Sequence, residues 1–147
     1  MKLELKHLAP YLPYDLKVKY TNKYNHSQTI TLVGIMNYTT KGKGIQVELC
    51  NKNLIHFFSK IEGIKPILRP LSDLTKEIEV NGEKFVPHIK LGGRPNLKDY
   101  DIEYLSKNID NMSYGLVSKL IEWHFDVFGL IEKGLAIDIN SLPQSSE

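Results

Sequence analysis

The sequence predicts a single α+β domain, spanning residues 1–147, in which a small antiparallel sheet of hairpins packs against a long C-terminal amphipathic helix. Three observations predict this fold. Apolar residues recur at helical spacing near the C-terminus, β-branched stretches of alternating polarity fill the first half, and turn signals separate those stretches. With 147 residues, of which 41% are hydrophobic, the chain is long and apolar enough to form one core.

The long helix is predicted from Ser113 to Lys133. Ser113 is a suitable N-cap, and Gly134 can adopt the left-handed conformation that ends a helix. Trp123 belongs to a second apolar row that makes the face wide enough to cover a sheet. The main row comprises Leu116, Val117, Leu120, Ile121, Val127, Phe128 and Ile131.

Three antiparallel strands are predicted in the first third of the chain. They cover Leu16 to Tyr20, Gln28 to Asn37 and Ile45 to Leu49, where apolar and polar residues alternate. The run TTKGKG is a turn signal between the second and third strands. Gly34 is predicted to mark a bulge or a close contact in the second strand.

The middle of the chain contains one ambiguous segment and one clear hairpin. Asn51 to Glu62 fits the periods of strand and helix about equally, so its structure is left open. Ile64 to Leu74 is predicted to be extended because it contains two prolines, with a single helical turn before Thr75. Asn81-Gly82 suits a type I′ turn, which pairs Ile78 with Phe85 and Glu79 with Lys84.

The remaining elements are short. Pro87 to Asp99 is predicted as a loop and Asp101 to Ile109 as a short helix that leads into the long one. LAIDIN, after Gly134, alternates as a last strand, and residues 141–147 are predicted to be a frayed tail. No repeat or linker divides the chain, which supports the single domain.

Composition restricts the cellular setting. Cys50 is the single cysteine, so an internal disulfide is excluded and a reducing compartment is indicated. The N-terminal sequence lacks the apolar run of a signal peptide, and no segment is long enough to cross a bilayer. We therefore expect a cytoplasmic protein with no membrane partner.

No catalytic, cofactor-binding or metal-binding residue is predicted. The histidines follow no zinc pattern, and Cys50 with His56 would lack an orienting group and an oxyanion site. His124 and Asp126 point in different directions on a helix, and LGGRP lacks the GK[ST] of a phosphate loop. We therefore expect a protein that is not an enzyme and has no cofactor or small-molecule substrate. The histidines are His7, His26, His56, His88 and His124.

Lysines interleaved with tyrosines along the N-terminal strands are the candidate partner-binding residues. RNA-binding proteins combine charge with stacking surfaces in this way, although lysine on strand edges also protects against aggregation. The net charge of +2 is too small to indicate nucleic-acid binding by itself. The candidate residues are Lys17, Lys19, Lys23, Tyr24, Tyr38, Lys41 and Lys43.

Three stretches carry a family resemblance: HLAPYLPYDLKV, IKPILRPLSDLTKEIEVNGEKFVP and LIEWHFDVFGLIEKGLAIDIN. In these strings, which cover more than a third of the chain, it resembles a family of small uncharacterised proteins carried by phages and prophages of Bacteroidetes and flavobacteria. The family has no catalytic signature to transfer. Residues 22–62 and 90–112 depart from the family pattern, and such variable parts are where a partner would be recognised.

The resemblance implies a mobile-element protein that acts in the bacterial cytoplasm. Small phage proteins without catalytic residues often bind and block a host machine, and anti-CRISPR proteins are a frequent instance. The implied function is therefore non-enzymatic inhibition of a bacterial defence system, by binding an RNA-targeting CRISPR effector or its guide RNA. The alternative is a phage accessory protein of replication or packaging. A third class, a small hydrolase or nuclease, requires Cys50, His56 or His124 to converge in space.

Overall fold

A six-stranded mixed sheet dominates the computed structural model, which describes residues 1–92 and 99–143. The strand order is β4-β3-β2-β1-β5-β8; β1 to β5 pair antiparallel, whereas β8 pairs parallel to β5. A separate hairpin comprises β6 and β7. The strands are β1 Lys17–Thr21, β2 Ser27–Tyr38, β3 Gly44–Cys50, β4 His56–Lys60, β5 Ile64–Leu68, β6 Ile78–Val80, β7 Glu83–Phe85 and β8 Ile137–Asp138.

The helices are short. Four α-helices are present in the described residues, together with six 3₁₀ turns. The longest α-helices have nine residues. The α-helices are α1 Leu5–Leu8, α2 Pro87–Lys90, α3 Asp99–Lys107 and α4 Tyr114–Glu122, and the 3₁₀ turns are Ala9–Tyr14, Thr39–Lys41, Ile61–Gly63, Leu71–Thr75, Ile109–Asn111 and Ile139–Ser141.

Strands β1 to β5 form a curled sheet, which we call the barrel (residues 16–68). Only three residues connect β4 to β5, yet a flat sheet would separate these strands by roughly 19 Å. The rings of Tyr20 in β1 and Phe57 in β4 lie 5.2 Å apart, although these strands are three positions apart in the order. The sheet therefore curls around a buried interior, while the second edge of β4 stays unpaired in the described residues. That interior includes Val18, Ile30, Leu32, Val47, Leu49, Ile64 and Leu68.

The local predictions for the sheet are confirmed. All three N-terminal strands form near their predicted bounds, and the register shifts between Leu32 and Gly34, where the bulge was predicted. The Asn81-Gly82 hairpin has the predicted pairs, with positive φ at both turn residues. The ambiguous segment from Asn51 to Glu62 contains β4.

The predicted long helix from Ser113 to Lys133 is wrong, because α4 ends at Glu122. His124 adopts φ 65°, and the backbone N–H groups of His124 and Phe125 donate to the carbonyls of Ile121 and Leu120. This pattern is a Schellman motif with histidine where glycine is usual. Apolar residues beyond it continue the helical spacing, but they become buried through turns.

The chain after α4 returns to the barrel instead of covering it. The backbone N–H of Arg69 donates to His124 O at 2.8 Å, and the N–H of Asp126 donates to Arg69 O at 2.8 Å. The carboxylate of Asp126 then accepts from the N–H groups of Leu130 and Ile131 at 2.8 and 2.9 Å, which stabilises the next turn. The predicted purely antiparallel sheet is therefore also wrong, since the last strand, β8, pairs parallel to β5.

The N-terminal residues 5–14 link the barrel to the C-terminal part, by which we mean the described residues after the barrel, 69–92 and 99–143. Tyr11 is fully buried; its hydroxyl donates to Phe125 O at 2.5 Å and accepts from the N–H of Val127 at 3.4 Å. Burial raises the pKa of Tyr11, so the hydroxyl stays protonated.

In the described part of the chain no helix is long and apolar enough to cross a membrane. The predicted loop from Pro87 to Asp99 is wrong at its start, where Pro87–Lys90 forms α2. Residues 93–98 of that loop and residues 144–147 of the predicted tail lie outside the described residues.

Candidate functional site

Lys17 and Lys19 project from the outer face of the barrel, because the intervening Val18 is buried inside it. The register places Lys19 opposite Lys65 of β5. Lys17 Nζ donates to Thr31 Oγ1 at 2.5 Å. Two predicted lysines therefore share one face with Lys65, a residue outside the predicted set.

Lys23 and Tyr24 lie on the tight turn between β1 and β2. The side-chain oxygen of Asn22 accepts from the N–H groups of Tyr24 and His26 at 2.9 and 3.0 Å, which holds the turn. Lys23 Nζ lies 5.1 Å from the centroid of the Tyr24 ring, and Tyr24 is 69% exposed. The turn thus presents a cation and an accessible aromatic face together, next to the outer face of β1.

Tyr38, Lys41 and Lys43 lie at the opposite end of β2. This strand has twelve residues, which corresponds to roughly 35 Å along its length. Tyr38 is half-buried, whereas Lys41 and Lys43 are exposed on the turn before β3. The structure therefore divides the predicted set into two groups at the two ends of the barrel, and only an extended ligand reaches both.

The barrel is strongly basic although the whole chain is nearly neutral. Residues 16–68 contain eight lysines and two glutamates, a formal charge of +6 against +2 for the entire sequence. Glu48, one of the two glutamates, pairs with His56 Nδ1 at 2.6 Å. Among the described residues, none of the eight lysines forms an ion pair with a carboxylate, although Glu62 lines the same cavity as Lys19 and Lys65.

Cys50 and His56 are brought into register on the outer face of β3 and β4. The imidazole of His56 is paired with Glu48, however, and the Cys50 thiol donates to Asn51 O at 3.5 Å. No hydrogen bond in the described residues joins the thiol to the imidazole. His124 lies elsewhere, with Nε2 donating to Tyr14 O at 2.7 Å.

Among the cavities away from the barrel surface, two border α3. The larger, about 620 Å³, lies between the Leu71–Thr75 turn, α3 and residues 126–132. Its Lys107 and Glu103 side chains pair with each other at 2.8 Å, and its Asp126 carboxylate is used by backbone N–H groups. The smaller, about 280 Å³, is mainly apolar and includes His88. Neither gathers a nucleophile, a base and oxyanion donors.

Metal binding has no candidate among residues 1–92 and 99–143, where no three His, Cys, Asp or Glu side chains lie close enough to share an ion. The polar groups that the fold does gather are the lysines of the barrel. No family model, curated protein or solved structure matches this chain.

Sequence reasoning missed part of the basic surface. Lys65 lies beside Lys19 through a pairing of strands whose residues are far apart in the chain, so no local pattern indicates it. Lys52 and Lys60 belong to the segment whose structure was left open. A count of charges over residues 16–68 would have found the asymmetry, but the boundaries of the barrel come only from the fold.

Proposed function

We propose that the chain is a non-enzymatic inhibitor of a bacterial defence system, and that its basic barrel binds the guide RNA of an RNA-targeting CRISPR effector in the cytoplasm of the host cell. The observation that carries the RNA contact is the charge of +6 on residues 16–68. The eight lysines of the barrel, which form no ion pair within residues 1–92 and 99–143, attract a polyanion, whose binding releases counterions. The inhibitory role rests on the family resemblance.

The contact is expected to be with the RNA backbone and largely independent of sequence. The barrel contains no arginine, and lysine provides a hydrated point charge without the planar fork that grips guanine or phosphate bidentately. The exposed ring of Tyr24 adds a surface on which a base of any identity can stack. Specificity for one effector would then have to come from contacts with its protein.

The RNA contact is tested by titrating a short fluorescent single-stranded RNA with the intact protein over a range of salt concentrations. Lys19→Gln with Lys65→Gln removes two adjacent charges from the barrel face. We expect weaker binding, and a slope of log affinity against log salt that is smaller by about 0.7 per lost phosphate contact. Lys41→Gln with Lys43→Gln tests the far turn in the same way.

The matched control is Lys2→Gln with Lys84→Gln, because both lysines are exposed, unpaired among the described residues and outside the barrel. This control variant also removes two positive charges, but from the surface outside the barrel. Equal losses for control and barrel variants would contradict the proposed surface, and an affinity independent of all these lysines would contradict the RNA contact.

The inhibitory role is tested by capturing the tagged protein's partners from a flavobacterial lysate that expresses its CRISPR systems, with and without ribonuclease. We expect recovery of a CRISPR effector that is lost after ribonuclease treatment and with the Lys19→Gln, Lys65→Gln variant. Retention after ribonuclease would place the contact on protein instead of RNA. Recovery of replication or packaging proteins would contradict inhibition and favour the alternative.

A further inference from the structure

The turn after β3 and the strand β4, residues 51–60, expose apolar side chains at one edge of the sheet. We call this segment the edge hairpin. Leu54 is 78% exposed, and Ile55 and Phe58 are each 59% exposed. β4 is the outermost strand, so nothing in the described residues pairs with its free side. Three large apolar side chains within five residues at an open strand edge are more than a solitary surface hydrophobe.

Leu54 is also held in an unfavourable backbone conformation. Its φ is 61°, in the left-handed region that glycine or asparagine normally occupies. Asn51 holds this turn through its side-chain oxygen, which accepts from the N–H groups of Asn53 and Ile55 at 2.9 and 3.0 Å. An exposed leucine therefore occupies a position where asparagine would be less strained, and strain of this kind indicates a functional constraint.

The free edge of β4 offers backbone hydrogen-bonding groups. The N–H of Asn51 donates to Ile55 O, so Asn51 and Ile55 face each other as a hydrogen-bonded pair. Hydrogen-bonded and non-hydrogen-bonded pairs alternate along an antiparallel ladder. In the β3–β4 register this alternation directs the backbone N–H and C=O groups of His56, Phe58 and Lys60 away from β3. These groups are available to an added strand, except the Lys60 carbonyl, which accepts from Ser59 Oγ at 2.9 Å.

The positive charge around β4 indicates which kind of strand could pair with its free edge. Lys52 and Lys60 are exposed at the two ends of the edge hairpin, Glu48 is already paired with His56, and the whole barrel carries +6. A second copy paired through β4 would bring two such barrels together, which like-charge repulsion disfavours. An extended segment with acidic side chains beside apolar ones would complement both the lysines and the exposed apolar residues.

We infer that β4 is a docking site for an extended, acidic and apolar segment of a partner protein, which adds a strand to the barrel beside Phe58 and contacts Leu54 and Ile55. This mode obtains affinity from main-chain hydrogen bonds and specificity from alternate side chains. This site lies apart from the Lys19–Lys65 pair that is proposed to contact RNA, although Lys52 and Lys60 also contribute to the charge of +6. A ribonucleoprotein partner would be engaged through both.

The test measures binding of the intact protein to a short fluorescent peptide of alternating glutamate and valine. We expect binding, at least fivefold weaker binding for Leu54→Asn and for Phe58→Thr, and unchanged binding for the control Ile89→Asn, which removes an exposed apolar side chain from α2. Leu54→Asn suits the left-handed turn, so a folding defect is not expected. Each variant's unfolding curve checks this.

Two further peptides separate the contributions to binding. A peptide with lysine in place of glutamate is expected to bind at least fivefold more weakly, and one with N-methylated backbone amides is expected not to bind. The inference is overturned by absence of binding to the glutamate–valine peptide, by equal binding of the lysine peptide, or by affinities unaffected by Leu54→Asn and Phe58→Thr. Concentration-dependent dimerisation that Leu54→Asn abolishes would also overturn it, because the occupant would be a second copy.

Discussion

His124 occupies a left-handed position at the end of α4 that most helices give to glycine. Its side chain explains why histidine is tolerated, because Nε2 donates to Tyr14 O at 2.7 Å and fastens the helix end to the N-terminal segment. A glycine would relax the backbone but lose this link. The ring is largely buried, and this burial is the main cause that lowers its pKa from 6.5; the hydrogen bond to Tyr14 opposes it.

The lowered pKa predicts acid sensitivity. The unfolded chain protonates His124 near pH 6.5, whereas the folded chain does so only at lower pH, so the unfolded state binds more protons in that window and the free energy of unfolding decreases as the pH falls through it. Urea denaturation at about pH 7.5 and about pH 5.5 should show the decrease. His124→Asn, which tolerates the left-handed conformation, should reduce it.

His26→Asn is the control for this measurement, because His26 is exposed on the β1–β2 turn. His26→Asn should leave the decrease in the free energy of unfolding at low pH unchanged. His7, whose pKa burial also lowers, contributes equally in all three proteins. A pH dependence in His124→Asn as large as in the parent would show that His124 is not responsible.

At the scale of elements, the C-terminal region shows why the long helix was mispredicted. The spacing of Val127, Leu130 and Ile131 satisfies a helical pattern and a pair of successive turns equally well. The turns differ from a helix in the backbone at His124 and Gly129, which both have positive φ. They also depend on the Asp126 carboxylate, which accepts from two backbone N–H groups. Those interactions depend on the return of the chain to Arg69, which no local pattern indicates.

Gly129→Ala distinguishes the two structures by the sign of its effect. In a continuous helix, alanine would stabilise by about 1 kcal/mol. In the observed turn, where φ is 69°, alanine should destabilise by about 1–2 kcal/mol. Gly115→Ala, inside α4 with open space around the added methyl group, is the matched control and should stabilise by up to about 1 kcal/mol. Chemical denaturation measures both, and stabilisation by Gly129→Ala would contradict the turn.

The hairpin at Asn81-Gly82 was predictable in full because its turn type and strand pattern depend on eight consecutive residues. The outward direction of Lys17 and Lys19 was likewise predictable from alternation around Val18. The neighbours of those lysines in space were not predictable. Lys65 joins them through the pairing of strands that are distant in the chain, and the length of β2 separates them from Lys41. Local periodicity thus identifies which side chains are exposed, while their grouping into a surface depends on long-range topology.

At the scale of the whole molecule, long-range connections tie the barrel and the residues that flank it, Tyr11 and Arg69, to the rest of the chain. They include the hydrogen bonds of Tyr11 to the 125–127 backbone, the backbone bonds between Arg69 and the 124–126 segment, and the pairing of β5 with β8. Each joins residues more than 50 positions apart. The barrel and the C-terminal part should therefore lose structure together.

Urea unfolding followed by two probes tests this coupling. Trp123 is the single tryptophan and packs against Phe85 outside the barrel, with ring centroids 4.9 Å apart, so its fluorescence reports the C-terminal part. The nuclear magnetic resonance signals of the backbone amides in β1 to β5 report the barrel. We expect coincident transitions, as for a two-state domain. Separated midpoints would mean that the barrel and the C-terminal part are independent units and would contradict a single domain.

The parallel pairing of β8 with β5 has a consequence for biosynthesis. The ribosome makes β5 about 70 residues before the strand that covers its edge, and at roughly 5–20 residues per second this interval lasts several seconds. Throughout it the nascent barrel has two open edges instead of one. Aggregation during translation, or of products truncated before Ile137, is therefore expected to begin at β5.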